Sequence, residues 1–158
     1  MTNTVRRKLI TGAAALSLLA AGGMSFAHGD DDEERFAQSQ YRHDVMELAK
    51  YSLTNIVQHL QGKADHEGHV AKLANVMALS AEMSKAAFKE DTRGMDGKTE
   101  AKDSVWENWD DFAKRLDAYA ADTAALAAAA KGGDMAEIGP AFKKAASHCK
   151  SCHDDYRK

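Results

Sequence analysis

Four stretches of this chain repeat apolar residues at intervals of three and four, and none alternates apolar with polar as a half-buried strand would. In the first, over about 35–61, Val45, Leu48, Ala49, Leu53, Ile56, Val57 and Leu60 recur at helical spacing, and Gly62 closes it. The second covers about 67–89 and carries a largely apolar stripe of Val70, Leu73, Ala74, Met77, Ala81, Ser84 and Phe88. Residues 90–103 set Gly94 and Gly97 among charges and read as a loop. The third stretch runs from Ser104 to about Lys131 through Trp109, Phe112, Leu116, Tyr119, Thr123 and Leu126. Its opening, Ser104-Val105-Trp106-Glu107, has the form of a capping box, in which the serine side chain bonds the amide three residues on. Gly132-Gly133 stops it. The fourth opens on Asp134 as its cap and runs to about Tyr156, with Pro140 expected to kink its first turns or delay its start.

A helix with one apolar stripe buries it against neighbours on one side. Four such helices, with short links after the first and third, predict an all-α fold, an antiparallel up-down four-helix bundle. Ala120, Ala121, Ala124, Ala125 and Ala127 to Ala130 make the third helix slim and strongly helix-forming. That composition suits close helix approach and suits propensity alone equally well.

The N-terminus has a different pattern. Arg6, Arg7 and Lys8 precede an apolar run, Leu9 to Ala21, that is short for a membrane span, and Ser25-Phe26-Ala27 has the small-x-small form of a cleavage site. Residues 1–27 are therefore expected to be a signal peptide, with a membrane anchor as the competing reading, and 28–158 to be one domain of 131 residues. Cleavage removes those three basic residues from 21 and none of the 24 acidic ones, which leaves 18 against 24 and a net charge of −6. This balance argues against a nucleic-acid partner. The run His28-Gly-Asp-Asp-Asp-Glu-Glu34 reads as a solvated N-terminus beside the first helix, with weak metal binding by His28 as the lesser reading.

The chemistry is concentrated near the other end, in Cys149-Lys150-Ser151-Cys152-His153. C-x-x-C-H is the attachment signature of a c-type haem: two thiols add across the vinyl groups and the adjacent imidazole is held for the iron. On a helix the three side chains share a face. The same residues also allow a disulfide, a thioredoxin-like pair, or a zinc site completed by His66, His69 or His148. The redox pair expects a βαβ context and the chain shows no strands, and with only two cysteines a zinc site would have to be completed by those histidines. Haem attachment needs an open chain after export, which favours the general secretory route to the periplasm over twin-arginine export. No nucleophile with a base, no paired carboxylates in a catalytic frame and no phosphate-cradling loop is present, so no enzyme activity is expected.

Over nearly all of the mature chain, the sequence resembles the class II c-type cytochromes, cytochrome c′ and its low-spin relative cytochrome c-556. The resemblance is carried by Tyr41-Arg42-His43-Asp44-Val45-Met46, by Thr99-Glu100-Ala101-Lys102 with Trp106, and by Cys149 to Arg157 at the end. It implies one covalent haem c, thioethers at Cys149 and Cys152, and His153 as proximal ligand. Met46 falls where cytochrome c-556 has its axial methionine and cytochrome c′ a distal pocket residue. Arg42 and His43 match positions lining the haem edge, Arg42 facing a propionate, and Glu100 matches a loop position near the haem. His43 departs from the glutamine usual in cytochrome c′. Ligation by His153 and Met46 implies a periplasmic single-electron carrier working with redox partners. An open distal side implies a five-coordinate haem that binds NO or CO. A homodimer through the first two helices also follows from the family.

The remaining candidates have plainer readings. His59, His66 and His69 are expected on the surface at helix ends, the latter two able to take up adventitious metal. Trp106, Trp109, Phe112 and Tyr119 are expected in the core and His148 exposed. Lys143, Lys144, Lys150, Arg157 and Lys158 either complement the last helix's dipole or form a docking patch beside the haem.

Overall fold

The structure, a computed structural model, describes residues 34–158. The expected signal peptide and its cleavage site lie outside them. The described chain is α1 (Ala37–Leu60), α2 (His69–Phe88), the single turn α3 (Ser104–Glu107), α4 (Trp109–Gly132) and α5 (Met135–Tyr156). The long helices pack in sequence order, α1 on α2, α2 on α4 and α4 on α5, as an up-down four-helix bundle requires. No strand forms among the described residues, only an isolated bridge between Ala101 and Arg157.

The helix ends follow local chemistry. Gly62 and Gly133 adopt left-handed backbone just past α1 and at the end of α4, which removes the steric cost a side chain would bring. The Asp134 carboxylate accepts the Ala136 amide at 2.8 Å and caps α5. Pro140 neither delays nor divides α5, which begins at Met135 and continues through it.

The capping box does not form. Ser104 is not the cap of its own helix; its hydroxyl donates to the Asp155 carbonyl at 3.0 Å. The reason is the far end of α5, whose last carbonyls have no partners within the helix. Lys102 Nζ donates to Asp154, Ser104 to Asp155 and the Lys102 amide to Tyr156, at 2.9–3.0 Å. The Lys158 amide returns a bond to the Glu100 carbonyl at 2.8 Å. The third predicted helix is accordingly broken at Asn108, where the backbone leaves helical geometry (φ −121°, ψ 44°) between α3 and α4.

The core has two parts. One joins Ile56, Met77, Tyr119, Leu126, Ile138 and Ala145 from all four long helices. Ser80, Ser84 and Thr123 are fully buried there and bond carbonyls of their own helices at 2.8–2.9 Å, so each hydroxyl is satisfied. The other joins Val105, Phe112, Leu116 and Tyr156, with Phe88, Trp106, Trp109 and Cys152 packed against it. Phe112 meets Phe88 and Tyr156 edge-on at 5.2 and 5.0 Å. The α4 alanines divide between the two readings: Ala127 and Ala130 are buried, while Ala121, Ala124, Ala125 and Ala128 face solvent.

In α1 the buried face is more polar than its periodicity predicts. Leu48 is exposed, and Ser39, Arg42 and Ser52 are buried beside Val45 and Ile56. The loop after α2 explains part of this. Gly97 takes φ +114°, with the position of an added Cβ 2.8 Å from the Glu34 carbonyl oxygen. Lys98 donates its amide to that same carbonyl at 3.1 Å, and Ser39 donates its hydroxyl to the Lys98 carbonyl at 2.7 Å. Gly97→Ala should therefore cost about 1–3 kcal/mol, measured by denaturant unfolding, because both the dihedral and the close backbone approach exclude a methyl group.

Candidate functional site

α1 and α5 scarcely touch, although both flank the same bundle. Between the first half of α1 and the last turns of α5 lies a cavity of about 320 Å³. Met46, Ala49 and Leu53 face it from α1, Cys149, Cys152 and His153 from α5, and Phe112, Leu116 and Tyr119 from α4. Arg42, His43 and Glu100 line it as well, so all seven residues singled out in the sequence meet at one site. The volume and apolar lining are those of a pocket that takes a cofactor-sized group.

Cys149 and Cys152 are free, half-buried thiols one helical turn apart. Desolvation raises both pKa values, that of Cys152 to about 11. A thioredoxin-like nucleophile needs the opposite shift. The zinc reading lacks its ligands: His66 and His69 border a separate hollow, the His148 ring is engaged by Asp122, and among the described residues no three His, Cys, Asp or Glu side chains gather as a metal site. His153 is exposed by area because it opens on the cavity, yet the surrounding protein desolvates its ring. That desolvation, followed by the charge of Arg157, holds its pKa below the ordinary histidine value and favours the neutral, ligating form.

Arg42 provides a specific test of fit. Its guanidinium is buried within a cage of Phe36, Phe88 and Trp106, 5.4–5.6 Å from each ring centre. Nη2 donates to Thr92 at 3.2 Å, while Nη1 is buried with no protein partner. Burial lowers the Arg42 pKa, but a guanidinium stays charged. A fixed positive charge at the wall of this cavity suits an anionic group within it. A haem supplies one in its propionates, and the paired thiols with an adjacent imidazole supply the means of covalent attachment and iron binding. The residues present fit the group.

The surroundings hold these groups in place. Glu100 accepts from Arg35 at 2.9 Å and from Arg157 Nε at 2.7 Å, which ties the loop to both ends of the domain. Burial alone would raise the Glu100 pKa, but the two guanidinium partners more than offset it and the net shift is downward. Arg115 of α4 donates to the Ser151 carbonyl, inside the cysteine motif, at 2.7 Å and pairs with Asp155 at 2.9 Å. His148 is half-buried, not exposed as expected; its Nε2 donates to Asp122 at 2.7 Å, and Lys144 pairs with the same carboxylate at 2.8 Å. Lys150 and Arg157 are likewise paired, with Asp154 and Glu100, which weakens the idea of a basic docking patch. Arg35, Arg115 and Asp122 carry no motif that would have singled them out.

The bond from His148, then that from Lys144, depresses the Asp122 pKa. A carboxylate whose pKa is lowered on folding stabilises the fold above its unfolded pKa, and that contribution disappears as the pH falls through the folded value. Asp122→Asn should cost about 1–2 kcal/mol at pH 7. The gap from the unmodified protein should close below about pH 4, as read by urea unfolding across pH.

Comparison with known proteins agrees with this geometry. The cytochrome C′ family model matches residues 37–157. The chain is 36% identical over 124 residues to cytochrome c′ of Pararhodospirillum photometricum, covering 77% of this chain and 97% of that one. The crystal structure of cytochrome c′ from Rubrivivax gelatinosus superposes with a TM-score of 0.70 at 28% identity, covering 77% of this chain and 94% of that one. A nitric oxide complex of a cytochrome c prime variant from Alcaligenes xylosoxidans gives 0.68 at 26% identity, covering 78% and 99%. A cavity bounded by a C-x-x-C-H helix, in a four-helix bundle matched along its length by these relatives, leads to one conclusion: this chain belongs to the cytochrome c′ family and is a c-type cytochrome with covalent haem.

Proposed function

We propose that this protein is a periplasmic single-electron carrier in which Cys149 and Cys152 hold the haem, His153 is the proximal ligand and Met46 the sixth. The observation that supports this most is that Met46 and His153 line one cavity from opposite helices, α1 and α5, with few other contacts between those helices. The haem supplies reversible one-electron chemistry at its iron. The chain supplies ligation, orientation and exclusion of water. Its thioether is a soft ligand that favours the reduced state and raises the potential. Phe112 and Leu116 keep the cavity lining apolar, and Arg42 would place its positive charge where a propionate could meet it. No part of this reading requires an enzyme activity.

The proposal includes cleavage after Ala27, a mature domain over 28–158 and export by the secretory route. Among the described residues, no helix is long and apolar enough to cross a membrane. It also includes a homodimer through α1 and α2, whose outer faces leave Tyr41, Leu48, Tyr51, Val76, Leu79 and Met83 exposed.

A second reading, a five-coordinate haem that binds NO or CO, is favoured by the nitric oxide complex of the Alcaligenes xylosoxidans relative. The visible spectrum of the reduced protein, with and without CO, decides between them. A low-spin spectrum unmoved by CO supports Met46 ligation; a high-spin spectrum that shifts with CO supports gas binding.

A further inference from the structure

A second group of ligating side chains lies where α1 turns into α2, away from the haem cavity. His59 sits in the last turn of α1, His66 in the connecting turn, and His69 at the start of α2. Their ring centres are 5.0 Å apart for His66 and His69, 6.2 Å for His59 and His66, and 6.3 Å for His59 and His69. With metal–nitrogen bonds of 2.0–2.1 Å and tetrahedral angles, imidazole centres around one ion stand about 5 Å apart. The three rings border one hollow with Asn55, Gln58 and Leu73. The turn is closed by backbone bonds, from the Lys63 amide to Gln58 at 2.8 Å and from the His69 amide to His66 at 3.1 Å, so the spacing is built into the hairpin.

His59 is already arranged as a ligand. Its Nδ1 lies 2.9 Å from the Asn55 carbonyl, which can only accept, so Nδ1 carries the proton and Nε2 the lone pair. That Nε2 is buried and has no partner. A metal-bound histidine donates its other ring N–H to just such a carbonyl, which fixes both tautomer and ring orientation. Among the described residues, no three such side chains are already gathered at coordination distance. His66 and His69 are exposed, however, and the movement required is a rotation of these two rings that uncovers His59 Nε2 and turns their own nitrogens toward it. Lys72 also borders the hollow but is exposed, with a long stem that can carry its charge outward.

We propose that His59, His66 and His69 bind one divalent transition-metal ion of the class that favours imidazole, represented by Zn²⁺, with the fourth position left to water. The ion bridges the end of α1 to the start of α2 and satisfies the one buried ring nitrogen of the hairpin that lacks a partner. It adds a cross-link to the pair of helices whose first member carries Met46.

The test uses the haem-loaded mature protein, in which His153 is engaged, titrated with Zn²⁺ by calorimetry and in competition with a chelator of known affinity. One ion per chain is expected, together with a rise in melting temperature that depends on Zn²⁺ concentration. His59→Ala, His66→Ala and His69→Ala should each weaken binding about tenfold or more and abolish the thermal shift. His59→Gln keeps a donor for the Asn55 carbonyl and serves if the alanine variant folds poorly. Affinity unchanged in both His59 variants overturns the proposal, because the ion then sits on the exposed His66 and His69 or at His28. Absence of a one-to-one complex overturns it equally.

Discussion

Replacing both motif cysteines, Cys149→Ser with Cys152→Ser, should leave no haem bound to the denatured chain. Haem staining after denaturing electrophoresis reads this directly, since only thioethers survive denaturation. Each single variant should retain one thioether at reduced yield. The structural consequence should be as large as the chemical one. Without a bound group, Leu53, Phe112 and Leu116 would line a water-filled gap between α1 and α5. Leaving those apolar side chains in contact with water costs about 3 kcal/mol or more, at roughly 1.5–3 kcal/mol per fully buried side chain, which corresponds to a melting-temperature loss of roughly 10 °C in a domain of this size. Full haem retention by the double variant under denaturing conditions would refute covalent attachment at these residues.

Met46→Ala should convert a low-spin haem to high spin and admit CO to the distal side. The side chain comes from the stripe of α1 that also presents Ala49 and Leu53 to the cavity, so its removal opens the wall opposite α5 without disturbing the buried Val45 and Ile56. Loss of a thioether should lower the midpoint potential on the order of 100 mV, within the span of about 0.8 V that axial ligation commands. Optical redox titration and a CO difference spectrum measure both effects. If the unmodified protein is already high spin and takes up CO readily, Met46 is a pocket wall, and gas binding becomes the function that the cavity serves.

The features legible in the sequence are those whose physics is local. Helical periodicity, the glycines past α1 and α4, the Asp134 cap and the end of α5 near Tyr156 depend on residues within a few positions of one another. The C-x-x-C-H motif is local too, because one turn of helix is enough to place two thiols and an imidazole on one face. The fold class followed from these, and the resemblance to cytochrome c′ extended it to residues that spacing alone could not have joined to the motif.

The tertiary structure decided what depends on distant partners. Ser104 could have capped its own helix, but it donates to a carbonyl 51 residues away because the end of α5 lies beside it with orphan acceptors. Arg42 is buried because α1, the loop and the aromatic cage close round it, with Thr92 fifty positions on. His148 was expected in solvent and is held instead by Asp122, 26 residues earlier. His59, His66 and His69 had the look of three surface residues until the hairpin brought their rings to within about 6 Å of one another. Sequence by itself determined the four long helices and where the cofactor chemistry sits, since those are properties of neighbouring residues, while the break at Asn108 came from the distant end of α5. Which polar groups are buried, and what they face, was left to packing, because a buried charge or hydroxyl is stable only where a partner from elsewhere in the chain meets it.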